Sequence, residues 1–212
     1  MRKRGASPLF NLPLMLITHN HRRYLPAFLF TLALPCILQA AALFFPLAYE
    51  RHAILAGKWW LLLTGGWLHH NLPHLLLNQA ALALLWLWGA DLVSGWRLLF
   101  VLIALVTAVD LELLLFDPAT LRYWGLSAAL HGLFAYMTIK ALCQGERSAL
   151  IWAAMLILKL WFDYHRVDQY TAHLIGTRVH TFSHLLGAVS GALIGICCKL
   201  GSRIKYPFPL SR

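Results

Sequence analysis

The sequence predicts an all-α polytopic membrane protein with six transmembrane helices, and three observations carry that prediction. Of 212 residues, 60% are hydrophobic and 12% are charged, about half the charged fraction of roughly 25% found in soluble domains. Nine Trp, seven Tyr and eleven Phe exclude a disordered chain, because so much aromatic surface does not stay solvated. Six apolar runs, most of them near the roughly 20 residues that cross a bilayer, fill most of the chain and leave no room for an ordinary soluble domain. Mean hydropathy is +0.65.

The runs are 24–48, 73–90, 96–116, 123–142, 148–163 and 182–200. They predict a basic tail over 1–23, a six-helix membrane domain over 24–200 and a second basic tail over 201–212. The first run carries Pro26, Pro35 and Pro46; Pro35 is expected to kink it, which neighbouring helices tolerate. In the fifth and shortest run, Lys159 is expected to snorkel towards the headgroups. The segment 57–72 is rich in Trp and Leu (Trp59, Trp60, Trp67) and is expected to lie in the interface plane. In the third run, Asp110 and Glu112 are two residues apart and point to different faces, Glu112 near the outer interface, with structural roles. The stretch 12–18 is short, contains Pro13 and lacks a small-residue cleavage site, so no cleavable signal peptide is expected.

The net charge of +10 suggests nucleic acid, but its placement argues against that partner. The basic residues sit in the tails and short loops rather than along one face. With both tails inside, 12 of the 18 Lys and Arg fall in inner segments and 5 in outer loops. That asymmetry predicts cytoplasmic termini, with the lipid bilayer as the chain's main surroundings. Cys36 lies within a span, and Cys143, Cys197 and Cys198 fall towards the inner face, so all four are expected to be reduced packing residues.

In this orientation the second, fourth and sixth runs all enter from the outer face, each with polar residues near its start. His74 and Asn78, Ser127, and His184 would sit within roughly 2–9 Å of the outer helix ends. A lone intramembrane Ser or Asn usually makes an interhelical hydrogen bond; four such residues at one depth point to a site. Their chemistry fits nucleophilic acyl transfer. Ser127 lies in Tyr-Trp-Gly-Leu-Ser-Ala-Ala-Leu-His-Gly (123–132), where Gly125 permits close approach to the backbone. In a first helical turn its N–H has no intrahelical partner, and the helix dipole favours a developing negative charge. His184 would take the hydroxyl proton, and His74 and Asn78, one turn apart, could donate to an oxyanion. No acid is placed to orient His184, which predicts a Ser–His dyad. Gly187, Gly191 and Gly195 form a small-residue seam that matches Ala128, Gly132 and Ala135.

These residues resemble the rhomboid family of intramembrane serine proteases. The resemblance covers roughly 55–200. It rests on the segment 59–64, on His69, His74 and Asn78 in the pattern His-x4-His-x3-Asn, on Gly125-Leu126-Ser127, and on His184-x2-Gly187-x3-Gly191. It implies a six-helix rhomboid-like bundle with Ser127 as nucleophile and His184 as base. His74, Asn78 and the Ser127 N–H would be the oxyanion donors, and His131, Gly125 and Gly187 would surround the reacting pair. Rhomboids often carry an aromatic residue where His131 stands, packed against the catalytic imidazole. The sequence departs from the family pattern at Trp59-Trp60, where Trp-Arg is common, and at Ala128, often a glycine. The phrases Gly-Leu-Ser-x-x-Leu-His-Gly-Leu and Leu-Leu-Thr-Gly resemble the rhombosortase branch. That branch implies an enzyme of the bacterial inner membrane acting on membrane-anchored protein substrates, among them exported proteins with a C-terminal Gly-Gly-type anchor. No cofactor or metal is implied.

Two alternatives stand beside this reading. His70–His74 and His180–His184 are both at i, i+4, a spacing that presents two imidazoles to one metal. A four-histidine centre would make a metal-dependent membrane enzyme or transporter. Against it, neither pair has an adjacent carboxylate, Pro73 places a helix boundary inside the first pair, and Ser127 and Asn78 go unused. The other alternative is an inactive rhomboid-like protein that only binds membrane helices. His165, His173 and His180 are expected to be solvated in the last outer loop.

Overall fold

A computed structural model describes residues 19–165 and 169–204. Helix α1 spans His19–Ala41. A two-residue strand β1 (Tyr49–Glu50), short helices α2 (Arg51–Leu55) and α3 (Leu61–Thr64), and a 3₁₀ turn over Gly65–Trp67 follow it. Helices α4 (Leu72–Gly89) and α5 (Trp96–Phe116) come next, then strand β2 (Arg122–Tyr123) and helix α6 (Ser127–Cys143). The chain continues through α7 (Ala149–His165), a short α8 (Gln169–Ile175) and α9 (Thr181–Ile204).

The six long helices coincide with the six apolar runs, and the protein is a multi-pass, all-α membrane protein. Helices α1, α4, α5 and α9 are each long and apolar enough to cross a bilayer. Helices α6 and α7 have 17 residues each, about 26 Å of rise. Several bounds differ from the sequence reading: α6 starts at Ser127 rather than 123, and α9 runs to Ile204, into the stretch read as tail. Helix α1 starts at His19, so 19–23 is helical rather than tail. It also stops at Ala41 rather than near 48, and Leu43, Phe44 and Phe45 beyond it are exposed. Both Pro26 and Pro35 lie inside it. Residues 1–18 and 205–212, most of the two basic tails, lie outside the described residues.

Helices α6 and α9 form the central pair because their facing positions carry almost no side chain. A Cβ on Gly187 would fall 2.0 Å from the Ala128 carbonyl oxygen, and one on Gly191 would fall 1.9 Å from that of Gly132. The backbones therefore touch, as in other small-residue seams. Gly195 faces Ile139 and the Tyr136 carbonyl rather than Ala135. Helix α5 packs its buried face, including Leu98, Leu102, Leu105 and Val109, against this pair.

The segment between α1 and α4 is exposed over one part and buried over another. Trp59 and Trp60 are exposed, whereas Trp67 is fully buried in the core. Asp110 explains why this segment stays folded inward: its carboxylate is completely buried and accepts the Gly66 N–H at 3.0 Å. Glu112 accepts the Ser190 hydroxyl of α9 at 2.6 Å instead of facing the interface. Strands β1 and β2 pair antiparallel, Tyr49 opposite Tyr123, and this clasp fixes the chain just before α6. Cys36, Cys197 and Cys198 are exposed and all four cysteines are free, so only Cys143 is even partly packed.

Candidate functional site

Ser127 is the first residue of α6, and the turn before it depends on Gly125. Gly125 has φ +117°, in the region that favours glycine, and a Cβ there would fall 2.7 Å from His74 Cε1. The His74 ring therefore lies directly on the backbone two residues before the serine. Asn71 sets that ring's helix: its side chain caps α4 by accepting the His74 N–H at 2.9 Å. Asn78 follows one turn later and donates one N–H of its amide to the His74 carbonyl at 3.1 Å. The amide's second N–H remains.

Ser127 Oγ lies 3.0 Å from His184 Nε2. His184, near the start of α9, is 5% exposed, and its Nδ1 lies 2.9 Å from Asp163 Oδ2. A carboxylate only accepts, so the hydrogen bonds assign the imidazole proton to Nδ1 and leave Nε2 to accept the serine hydroxyl. The sequence reading placed no acid beside His184; the structure brings one from the end of α7. Asp163 is 4% exposed, and its Oδ1 accepts from Lys159 one turn earlier. Lys159 thus pairs with a buried carboxylate while its own side chain stays half exposed.

His131 packs its ring on His184 at 4.2 Å between centroids and 15° between planes. Its Nδ1 donates to the Ser127 carbonyl at 2.8 Å. His131 thus both flanks the imidazole with its ring and bonds the backbone at the start of α6. Ala128, buried in the cluster that holds Val109 and Tyr123, lines neither of the openings at Ser127.

Two openings meet at Ser127 among the described residues. A polar cavity of about 160 Å³ is bordered by His70, His74, Tyr123, Trp124, Arg178 and Ser183. An apolar groove of about 630 Å³ runs between α4, α6 and α7, bordered by Asn78, Leu84, His131, Phe134, Met155 and Lys159. Ser127 lines both, so one hydroxyl stands where a polar cavity meets an apolar groove. The Tyr123 phenol faces the hydroxyls of Ser127 and Ser183 without closing a hydrogen bond to either. Chemically, a hydroxyl bonded to an imidazole whose far nitrogen meets a carboxylate can lose its proton as it attacks a carbonyl.

The histidine pairs do not form a four-histidine centre. His70 precedes α4 and lies against Trp124, 4.3 Å between ring centroids. His180 is partly exposed but also partnered: its Nδ1 accepts the Ser183 N–H at 3.2 Å, and its Nε2 lies 3.0 Å from Asp117 Oδ2 and 2.8 Å from Thr120 Oγ1. Burial alone would raise Asp117, yet the Thr120 hydroxyl and the His180 ring hold its carboxyl below the usual carboxylate range. His69 is buried beside His74, and burial first, then that neighbour, push it down to about 3. His165 and His173 are exposed. Among the described residues, His131, Asp163 and His184 have ligand atoms within 4.8 Å of one another. Their rings are stacked face to face, so the nitrogen lone pairs of the two histidines cannot converge on one ion, and Lys159 already neutralises the carboxylate.

Asp163 escaped sequence reasoning although a signal was available. Lys159 and Asp163 stand at i, i+4 in a short apolar helix, where paired charges mark an internal contact.

The fold and site define a multi-pass membrane protein with a partly exposed serine against a buried imidazole, each near the start of its helix. The rhomboid domain family matches residues 56–200, and the chain belongs to the rhomboid family of intramembrane proteases. No curated protein matches it.

Proposed function

We propose that the protein is an intramembrane serine endopeptidase in which Ser127 is the nucleophile and His184 the base. The observation that carries this reading is the 3.0 Å contact between Ser127 Oγ and His184 Nε2 at the junction of polar cavity and apolar groove. A membrane-anchored segment enters through the groove while water reaches the serine from the cavity. Ser127 Oγ attacks the scissile carbonyl carbon as its proton passes to His184 Nε2. The tetrahedral oxyanion is met by the Ser127 N–H, the His74 ring and the free N–H of Asn78. Collapse breaks the C–N bond, and His184 gives its proton to the departing amine. A water deprotonated by His184 then hydrolyses the acyl-serine and restores both residues.

With both termini cytoplasmic, the site lies near the outer face of a bacterial inner membrane. The rhombosortase-like phrases around Thr64 and Ser127 favour C-terminally anchored exported proteins as substrates, including those with Gly-Gly-type anchors. Co-expression with such proteins tests the reading. Wild type should release the anchored protein, and Ser127→Ala and His184→Ala should each abolish release while remaining in the membrane. Because the two residues act as a unit, the double variant should be little worse than either alone. Loss of cleavage with a chelator, restored by zinc, would refute it.

A further inference from the structure

We infer that Asp163, held by Lys159, is a positioning residue for His184: it keeps the imidazole proton on Nδ1 and aims Nε2 at Ser127. The inference rests on the serine-protease reading above and adds a third member to what the sequence alone presents as a dyad. Three helices meet in a line, with Ser127 from α6, His184 from α9 and Asp163 from α7. The two contacts, 3.0 and 2.9 Å, lie at the two nitrogens of the same ring.

The burial of Asp163 makes this more than a chance contact. A carboxylate 4% exposed must be partnered or lose its charge, and here each oxygen has a distinct partner. Oδ1 takes the Lys159 ammonium and Oδ2 takes His184 Nδ1. Lys159 has its side chain half exposed, and its four-carbon chain could reach the headgroups, yet its ammonium pairs with the carboxylate. The Lys159–Asp163 pair is neutral, so it leaves a neutral imidazole free to accept a proton. Once His184 is protonated, the carboxylate directly beside Nδ1 stabilises the imidazolium.

The remaining freedom of the ring is closed by His131. It covers one face at 4.2 Å and spends its own Nδ1 on the Ser127 carbonyl. Its Nε2 is 3.9 Å from Asp163 Oδ2, too far to compete for that oxygen. Asp163 thus has a single imidazole to orient. The carboxylate also comes from the helix that lines the groove through Met155 and Lys159, so the wall a substrate passes is the one that supplies the orienting group.

The test uses the full chain in lipid nanodiscs, with cleavage kinetics and ¹⁵N-histidine spectra. The His184 signal is identified by its loss in His184→Gln. In wild type His184 should be the Nδ1–H tautomer, and in Asp163→Asn it should shift to Nε2–H, because an asparagine amide can donate to Nδ1. The titratable groups facing His184 are His131 on α6, Asp163 and Lys159 on α7, and His74 on α4. Removing only the carboxylate should move the acid limb of kcat/KM to lower pH. Asp163→Asn should lower kcat by on the order of 10³- to 10⁴-fold with KM little changed, and Asp163→Glu should recover part of the loss. Lys159→Met should lower kcat less than Asp163→Asn, and Lys159→Arg should restore it. A wild-type Nε2–H tautomer overturns the inference without any variant. So does Asp163→Asn with kcat within about threefold of wild type and an unmoved acid limb. If instead Ser127→Ala cleaves like wild type, the protease reading fails, and the tautomer measurement still judges Asp163.

Discussion

Gly187→Ala should disable the protein without unfolding it, and the size of the effect follows from the helix seam. The added Cβ would lie 2.0 Å from the Ala128 carbonyl oxygen. Real contacts of this kind begin near 3.0 Å and relax at about 3.4 Å, so α6 and α9 must part by about 1.0–1.4 Å at that point. Ala128 directly follows Ser127, and Gly187 is three residues after His184, so most of the separation passes to the reacting pair. The contact of 3.0 Å would open to about 4 Å, beyond hydrogen-bond range. A misplacement of about 1 Å can lower a rate about 100-fold. Overpacking of this size destabilises by about 1–3 kcal/mol, which a well-packed bundle survives. Gly195→Ala is the control on the same helix. Its Cβ would meet Ile139 Cγ2 at 3.0 Å and Ile139 Cβ at 3.1 Å, contacts that need a shift of only a few tenths of an ångström, and the site is far off. Cleavage of an anchored substrate in proteoliposomes at matched protein content, paired with thermal unfolding, checks the reasoning. Near-wild-type cleavage by Gly187→Ala would show that the seam does not set the Ser127–His184 distance. Equal losses in Gly187→Ala and Gly195→Ala would show that the loss is general destabilisation.

Three other outcomes follow from the same geometry. His74→Ala and Asn78→Ala should each lower turnover by about 100- to 1,000-fold at most, less where the other donor compensates, with KM nearly unchanged; wild-type kcat in both would remove them from the oxyanion site. A stacked aromatic pair contributes about 0.5–1.5 kcal/mol, so His131→Ala should slow cleavage by about 2- to 12-fold. His131→Phe should lie closer to wild type, and activity as low as Ser127→Ala in both variants would make His131 a reacting group. His69, held at about 3 in the folded protein against about 6.5 when unfolded, favours the unfolded state once pH falls below 6.5. Thermal stability in detergent should therefore decline from pH 6.5 towards 3, and His69→Phe should flatten that decline; an unchanged slope would refute the assignment.

The helices were legible because lipid leaves the chain little choice. Backbone groups must be satisfied within each segment, so an apolar run of sufficient length, such as 96–116, maps directly onto α5 (Trp96–Phe116). The end of α1 was not legible: the run 24–48 stays apolar after Ala41 while the helix does not. Hydropathy reports where a segment can reside rather than its conformation there. The seam was legible for a different reason. Glycines at four-residue spacing can be read without knowing their partner, and Gly187 and Gly191 found Ala128 and Gly132 as the facing residues.

The site divides in the same way. Ser127, His184 and His74 stand at helix starts, where sequence position fixes depth, so their convergence could be argued from rise per residue alone. Asp163 stands at the far end of α7, and its membership depends on which way that helix faces, a tertiary fact. Lys159 was assigned to the headgroups by the general behaviour of lysine in a span. That assignment holds for a lone cation, since the interface then offers the only solvation. An acid one turn away adds a second partner, because the ammonium can pair with one carboxylate oxygen while a third group uses the other. His180 shows the same effect outside the bilayer: Asp117, distant in sequence, meets its ring and ties the start of α9 to the end of α5. In both cases a carboxylate on another helix decides where a histidine points, and that partner is what hydropathy and local spacing cannot supply.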